Sequence, residues 1–147
     1  MIGLSVSLRR RARRSSTPGQ PDLLAPVIAS LSIDEGTWQF GFGSDEAGAL
    51  HWLIDNAPGY PNADALVAAK PLAAAAGSGL ALAGVNSGGV DVSGVASGSW
   101  RFHVGVIDAT GNASNVLSAN VTVVSGNLEL NGDPLVWNGD QLIFNAA

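Results

Sequence analysis

Cysteine is absent from the 147 residues, which excludes disulfides and any zinc site built on thiolates. Charge is scarce: Asp, Glu, Lys and Arg make up 13% of the chain, about half the usual share. There are two histidines, one tyrosine and one methionine, so general bases and nitrogen ligands are few. No apolar run is long enough to cross a membrane, so no membrane insertion is expected. No Gly-Lys-Ser/Thr closes a phosphate loop, and no serine stands in Gly-x-Ser-x-Gly at a strand-to-helix turn. The sequence displays no nucleophile, base and orienting group in a catalytic pattern. It therefore reads as non-enzymatic and without a cofactor.

What is present favours strands and turns. Apolar residues reach 46% and glycines number 19, enough for a core but poor for long helices. The net charge of −5 hides an asymmetry, because Arg9, Arg10, Arg11, Arg13 and Arg14 all precede the first acid. Beyond them Lys70 and Arg101 face all twelve acids. The chain is an acidic body with a basic arm.

Residues 1–24 read as that arm. Leu4, Val6 and Leu8 alternate with small polar residues, the arginines follow, and Ser15 to Asp22 is a Pro- and Gly-containing linker. The apolar residues come before the basic ones, the reverse of a secretory signal. A twin-arginine signal would need an apolar stretch after the arginines, where the polar Ser15–Asp22 stands. Export by this segment is not expected. Five clustered arginines can neutralise phosphates, but the arm lacks an aromatic for base stacking and the body is acidic. An acidic protein surface is the preferred docking target over nucleic acid, with a solvated arm as the plain alternative.

Residues 25–124 read as an antiparallel β-sandwich. Strands are expected at Pro26–Ile33, Thr37–Gly43, Ala49–Asp55, Leu80–Val85, Val90–Val92, Ser99–Asp108 and Asn115–Val124, from period-2 apolar alternation between turn signals. A short helix is expected over Asn62–Lys70, capped by Asn62 and stopped by Pro71. Ala73–Gly79 reads as a small-residue loop. Some seven strands in about 100 residues define an immunoglobulin- or fibronectin III-like all-β sandwich. Trp38, Trp52 and Trp100 are the expected centre of its core.

Residues 125–147 repeat every seven residues: Leu128-Glu-Leu-Asn-Gly-Asp-Pro, Leu135-Val-Trp-Asn-Gly-Asp-Gln, Leu142-Ile-Phe-Asn. Each unit offers a short strand and an Asn-Gly turn. Leu128 and Leu130, Leu135 and Trp137, and Leu142 and Phe144 are each expected to share a face. Three such strands bury too little to stand alone. They need other copies of the chain or a larger assembly to complete a core; the alternative is a meander folded onto the chain's own sandwich.

Phe102-His-Val-Gly-Val-Ile-Asp108-Ala-Thr-Gly111-Asn112-Ala-Ser114, followed by Val116–Val124, resembles the close of bacterial Ig-like and fibronectin III-like repeats. There a strand leads into Asp-x-x-Gly-Asn-x-Ser and then a final strand. The Trp52 strand, the Ala63 helix and the small-residue loop at Ala73–Gly79 resemble a variant frequent in tail, fibre, spike and decoration proteins of bacteriophages and phage-like particles. The short start with its arginines and the Leu-x-apolar-Asn-Gly-Asp tail look similar to small phage structural proteins. The resemblance implies a virion structural subunit, assembled in the bacterial cytoplasm and displayed on the particle surface. Its partners would be other virion proteins and further copies of itself, with a trimer suiting a fibre or spike. A carbohydrate- or cell-surface-binding module is the alternative, with a host-surface glycan as ligand.

Remaining candidates have plain readings beside the functional ones. His51 and His103 lie opposite the aromatic face of their strands and read as ordinary sheet histidines. Asp34-Glu35 and Asp45-Glu46 bracket a strand and read as solvated turn residues, although they could do acid/base work or bind calcium. Asn131-Gly-Asp133 and Asn138-Gly-Asp140 offer oxygen ligands too sparsely for an EF-hand. No metal is expected. Tyr60 and Trp137 are the aromatics best placed for a sugar, against readings as a loop anchor and a repeat-core residue.

Overall fold

The computed structural model describes residues 22–124 in full, and the backbone of three short strands beyond them. The chain runs β1 (Ile28–Asp34), β2 (Gln39–Ser44), β3 (Gly48–Asp55), α1 (Ala63–Ala69), a 3-10 turn (Lys70–Leu72), β4 (Ala75–Ala81), β5 (Gly84–Gly89), β6 (Gly98–Ile107) and β7 (Leu117–Val123). Two sheets result, β1-β2-β5 and β4-β3-β6-β7, with every pairing antiparallel. The fold is all-β with one short helix.

Alternation places the core as expected. Phe40 and Phe42 of β2, Leu50, Trp52 and Ile54 of β3, Phe102, Val104 and Val106 of β6, and Val121 and Val123 of β7 are buried in one cluster. Phe102 is the hub: its ring centroid is 5.0 Å from that of Phe40 and 6.1 Å from that of Trp52. Burying each such side chain is worth about 1.5–3 kcal/mol. Without disulfides, this interdigitation is what holds the sheets face to face.

Trp38 and Trp100 are not the centre. Both are only partly buried at the rim. Trp38 sits outside β2 in the β1–β2 turn at φ 52°, so the alternation that starts at Phe40 does not extend back to it. Trp100 turns its indole N–H to the Ala96 carbonyl, 2.9 Å away.

The expected loop at Ala73–Gly79 is corrected: from Ala75 onward it is β4, a strand at the sheet edge. Its small residues read as loop because Gly, Ala and Ser are depleted in strands. Here they are required by a neighbour. Gly77 lies directly opposite Trp52, and a Cβ at Gly77 would fall 2.4 Å from the indole ring. The expected strands at Leu80–Val85 and Val90–Val92 shift accordingly. Leu82 and Ala83 link β4 to β5, and Val90 and Val95 plug the core from a loop.

The helix forms as the sequence predicts. The Asn62 side chain accepts from the Ala65 N–H at 3.0 Å, satisfying an otherwise unpaired donor. Asp64 in the first turn suits the positive end of the helix dipole. α1 lies against β3 and β6. Gly105 makes this approach fit: a Cβ there would come within 2.9 Å of the Ala63 Cβ. The helix thus covers part of the sheet face opposite the main core, and Leu53, Ala63, Leu66 and His103 are buried outside the main cluster.

One side of the sandwich is stitched. β1 lies alongside β7, and Asn115 replaces a strand partner there. Its Oδ1 accepts from the Ile28 N–H at 2.9 Å and its Nδ2 donates to the Ile28 carbonyl at 3.0 Å. At the other end of β1 the Glu35 carboxylate accepts from the Thr122 N–H at 3.1 Å.

The C-terminal strands are β8 (Glu129–Leu130), β9 (Asp133–Asn138) and β10 (Gln141–Phe144), an antiparallel sheet of order β10-β9-β8. The register pairs Leu130 with Asp133, Leu135 with Phe144, and Trp137 with Leu142. Cross-strand partners share a face, so Leu130, Leu135, Trp137, Leu142 and Phe144 occupy positions on one face. Leu128 and the arm with Arg9, Arg10, Arg11, Arg13 and Arg14 lie outside the described residues.

Candidate functional site

The outer face of β6 and β7 carries a polar strip. Register sets His103 against Ser118, Arg101 against Asn120 and Ser99 against Thr122. Asp55, at the end of β3, is the cross-strand partner of Arg101. Three facing pairs and one strand end therefore bring imidazole, hydroxyl, guanidinium, amide and carboxylate groups together.

His103 is wholly buried. Its Nδ1 is 2.7 Å from the Ser118 hydroxyl, and its Nε2 is 3.1 Å from Asp55 Oδ1. The second contact lies at ion-pair distance without hydrogen-bond alignment, so Nε2 has no hydrogen-bond partner. Asp55 also accepts the Tyr60 hydroxyl and, at 2.9 Å, the Ala57 N–H. The Tyr60 ring meets the His103 ring edge-on with centroids 5.1 Å apart. With a carboxylate facing Nε2, we assign the imidazole proton to Nε2, leaving Nδ1 to accept from Ser118.

Ser118, His103 and Asp55 are at the distances of a nucleophile, base and orienting acid. The electrostatics oppose that use. Burial pushes the His103 pKa below its ordinary value, and the nearby Asp55 charge only partly offsets this. The imidazolium that would form on taking the Ser118 proton is therefore disfavoured. The constellation ties together β7, β6 and the 55–60 loop. Burial, then the hydrogen bond to Asp55 and its charge, push Tyr60 up to about 12. Tyr60 is thus a loop anchor, with its hydroxyl engaged.

Beside this network lies a surface cleft of about 360 Å³, lined by Asn56, Ser99, Trp100, Arg101, Asn120 and Thr122 among others. Arg101 Nη1 donates to the Pro58 carbonyl at 2.6 Å. Among the described residues the sole ion-pair contact is that of His103 with Asp55. Arg101 thus has no carboxylate partner, although Asp55 is its neighbour across the sheet.

A second polar centre joins three turns. Asp108 receives the Thr110 and Asn112 N–H groups, each at 2.8 Å, on Oδ1, and Asn112 Nδ2 at 2.8 Å on Oδ2. Burial works against ionisation, but these hydrogen bonds win and hold Asp108 down to about 2. Asn112 Nδ2 also reaches the Asp22 and Leu24 carbonyls at 3.0 and 3.1 Å. Ser114 Oγ accepts from the Val106 N–H at 2.8 Å. The Asp-x-x-Gly-Asn-x-Ser stretch is therefore a clamp on the incoming chain as well as a hairpin turn. Asp22, Glu46 and Asp108 place carboxylate oxygens within 4.8 Å of one another. Burial, then the charges of Asp22, Asp45 and Asp108, raise Glu46 above its usual range. Three oxygens so placed could hold a hard cation. The heavy internal bonding of Asp108 accounts for its position without one.

His51 is half-buried beside Lys70 and Ser78, its Nδ1 3.4 and 3.3 Å from their polar atoms. Burial first, and the Lys70 charge second, lower its pKa. The side chains of Asp133, Asp140 and Trp137 lie outside the described residues. Sequence alone placed His103 on the correct face but not Asp55 or Ser118 beside it. That meeting depends on the register of three strands, which periodicity does not carry. No family model, curated protein or solved structure matches the chain.

Proposed function

We propose that this chain is a non-enzymatic structural subunit of a phage or phage-like particle. Its sandwich is displayed on the particle surface and its terminal segments make the joints. The observation that carries this reading is the C-terminal sheet, whose register aligns Leu130, Leu135, Trp137, Leu142 and Phe144 on one face. Three strands of this length are marginal in water, and such a face is stabilised by apolar burial against another surface. Further copies of the chain are the partners this symmetry of composition favours.

The sandwich supports the same reading. β4 joins the sheet of β3, β6 and β7, whereas the fourth strand of an immunoglobulin constant-type fold joins the sheet of the first. This favours the fibronectin III-like variant. The Asp108–Ser114 clamp is the turn that carries the resemblance to bacterial Ig-like and fibronectin III-like repeats. Fold alone does not confer a role, so the assembly claim stands on the tail.

Light scattering after size exclusion, on the full chain and on a version ending at Ser125, tests it. The full chain is expected to be an oligomer that falls to a monomer on truncation. Equal monomeric mass for both would overturn assembly through the tail.

A further inference from the structure

We propose that the Arg101 cleft binds the carboxylate of an acidic sugar, a ligand of the uronate or sialate class. Outside the arm the chain has two cations against twelve acids, yet Arg101 has no acidic partner among the described residues. Asp55, opposite it in register, turns instead to His103 and Tyr60. The Pro58 carbonyl takes one guanidinium donor and fixes the side chain's aim. A guanidinium carries five donors in a planar fork that matches a carboxylate.

The rest of the cleft suits a hydroxyl-rich body. Asn56 and Asn120 offer amides, and Ser99 and Thr122 offer hydroxyls. The volume of about 360 Å³ is that of a small-ligand site. Glu35 sits against the Thr122 N–H, so one end of the strip is negative. A ligand would therefore direct its carboxylate to Arg101 and Asn120, and its hydroxyls toward Thr122. This arrangement also argues against a neutral sugar, which would leave the guanidinium unmatched. The proposal is independent of assembly through the tail.

Saturation-transfer difference NMR on the full-length protein tests it, with glucuronate, galacturonate and N-acetylneuraminate as probes and glucose and acetate as controls. At least one acidic sugar is expected to bind, with both controls roughly tenfold or more weaker. Arg101→Lys keeps the charge but loses the fork, and should weaken binding by a similar factor. Asn120→Asp, at an exposed strand position, sets a negative charge where the carboxylate belongs and should abolish binding while the circular dichroism spectrum stays unchanged. Absence of binding by all three acids would overturn the proposal. So would glucose or acetate binding as tightly as the acids, or wild-type affinity in a folded Asn120→Asp variant.

Discussion

At the scale of single residues, His103 combines full burial with three polar neighbours, and its titration should be visible in stability. Its folded pKa lies below the ordinary histidine value because burial penalises the charged form. Between the folded and the unfolded value the unfolded chain binds more protons, so stability rises with pH there. The contribution is complete above about pH 6.5, the ordinary histidine value, and is lost as pH falls below it. Glu46, raised chiefly by burial and then by neighbouring acids, acts oppositely, since its penalty eases as pH drops. Urea denaturation at pH 7.5 and 5.5 should show lower stability at the acid value, with His103→Gln shrinking the difference. An unchanged pH dependence in that variant would show that the buried imidazole is not the sensor. Gly77 gives the lesson about legibility at this scale. A glycine beside alanines and a serine reads as loop, and only the indole of Trp52 resting on it explains why a strand needs that residue.

At the scale of elements, the strands carrying large alternating side chains were legible and the small-residue strand was not. β2, β3, β6 and β7 announce themselves through Phe40, Phe42, Trp52, Phe102 and their neighbours, because burial on one face imposes a period of two. β4 has no such side chains, and its pairing comes from β3. The helix was legible because its signals, Asn62 and Pro71, are local. The polar network and the cleft were illegible because their members come from elements distant in sequence. Asn115 shows how much one side chain between elements can do. It satisfies both backbone groups of Ile28, and Ile28 is 2% exposed. Asn115→Ala should therefore cost about 1–3 kcal/mol, the penalty of leaving such groups unpaired. Chemical denaturation checks this, with a fall in midpoint at constant slope. A change within error would mean that water replaces the amide without loss.

At the scale of the whole molecule, the proposed assembly has two candidate joints, the arginine-rich arm and the C-terminal sheet, and salt separates them. Contacts between exposed charges weaken as the screening length shortens, whereas apolar burial does not. If the tail is the joint, the oligomer mass from light scattering should hold as sodium chloride is raised. Dissociation at high salt would move the joint to Arg9–Arg14. The stitched side of the sandwich has a mechanical consequence. Asn115 meets the first residue of β1, and Thr122, near the end of β7, meets Glu35 just past the end of β1. The two strands thus run in the same direction, and the chain enters at one end of the pair and leaves at the other. Tension applied between the termini slides β1 along β7 instead of peeling it away. The Asn115 amide bonds, the Glu35 contact and the Asn112 grip on Asp22 and Leu24 are then strained together rather than one after another. A module wired in this way stays folded under a pull that would unzip a hairpin, which suits a part held at one end and tugged at the other.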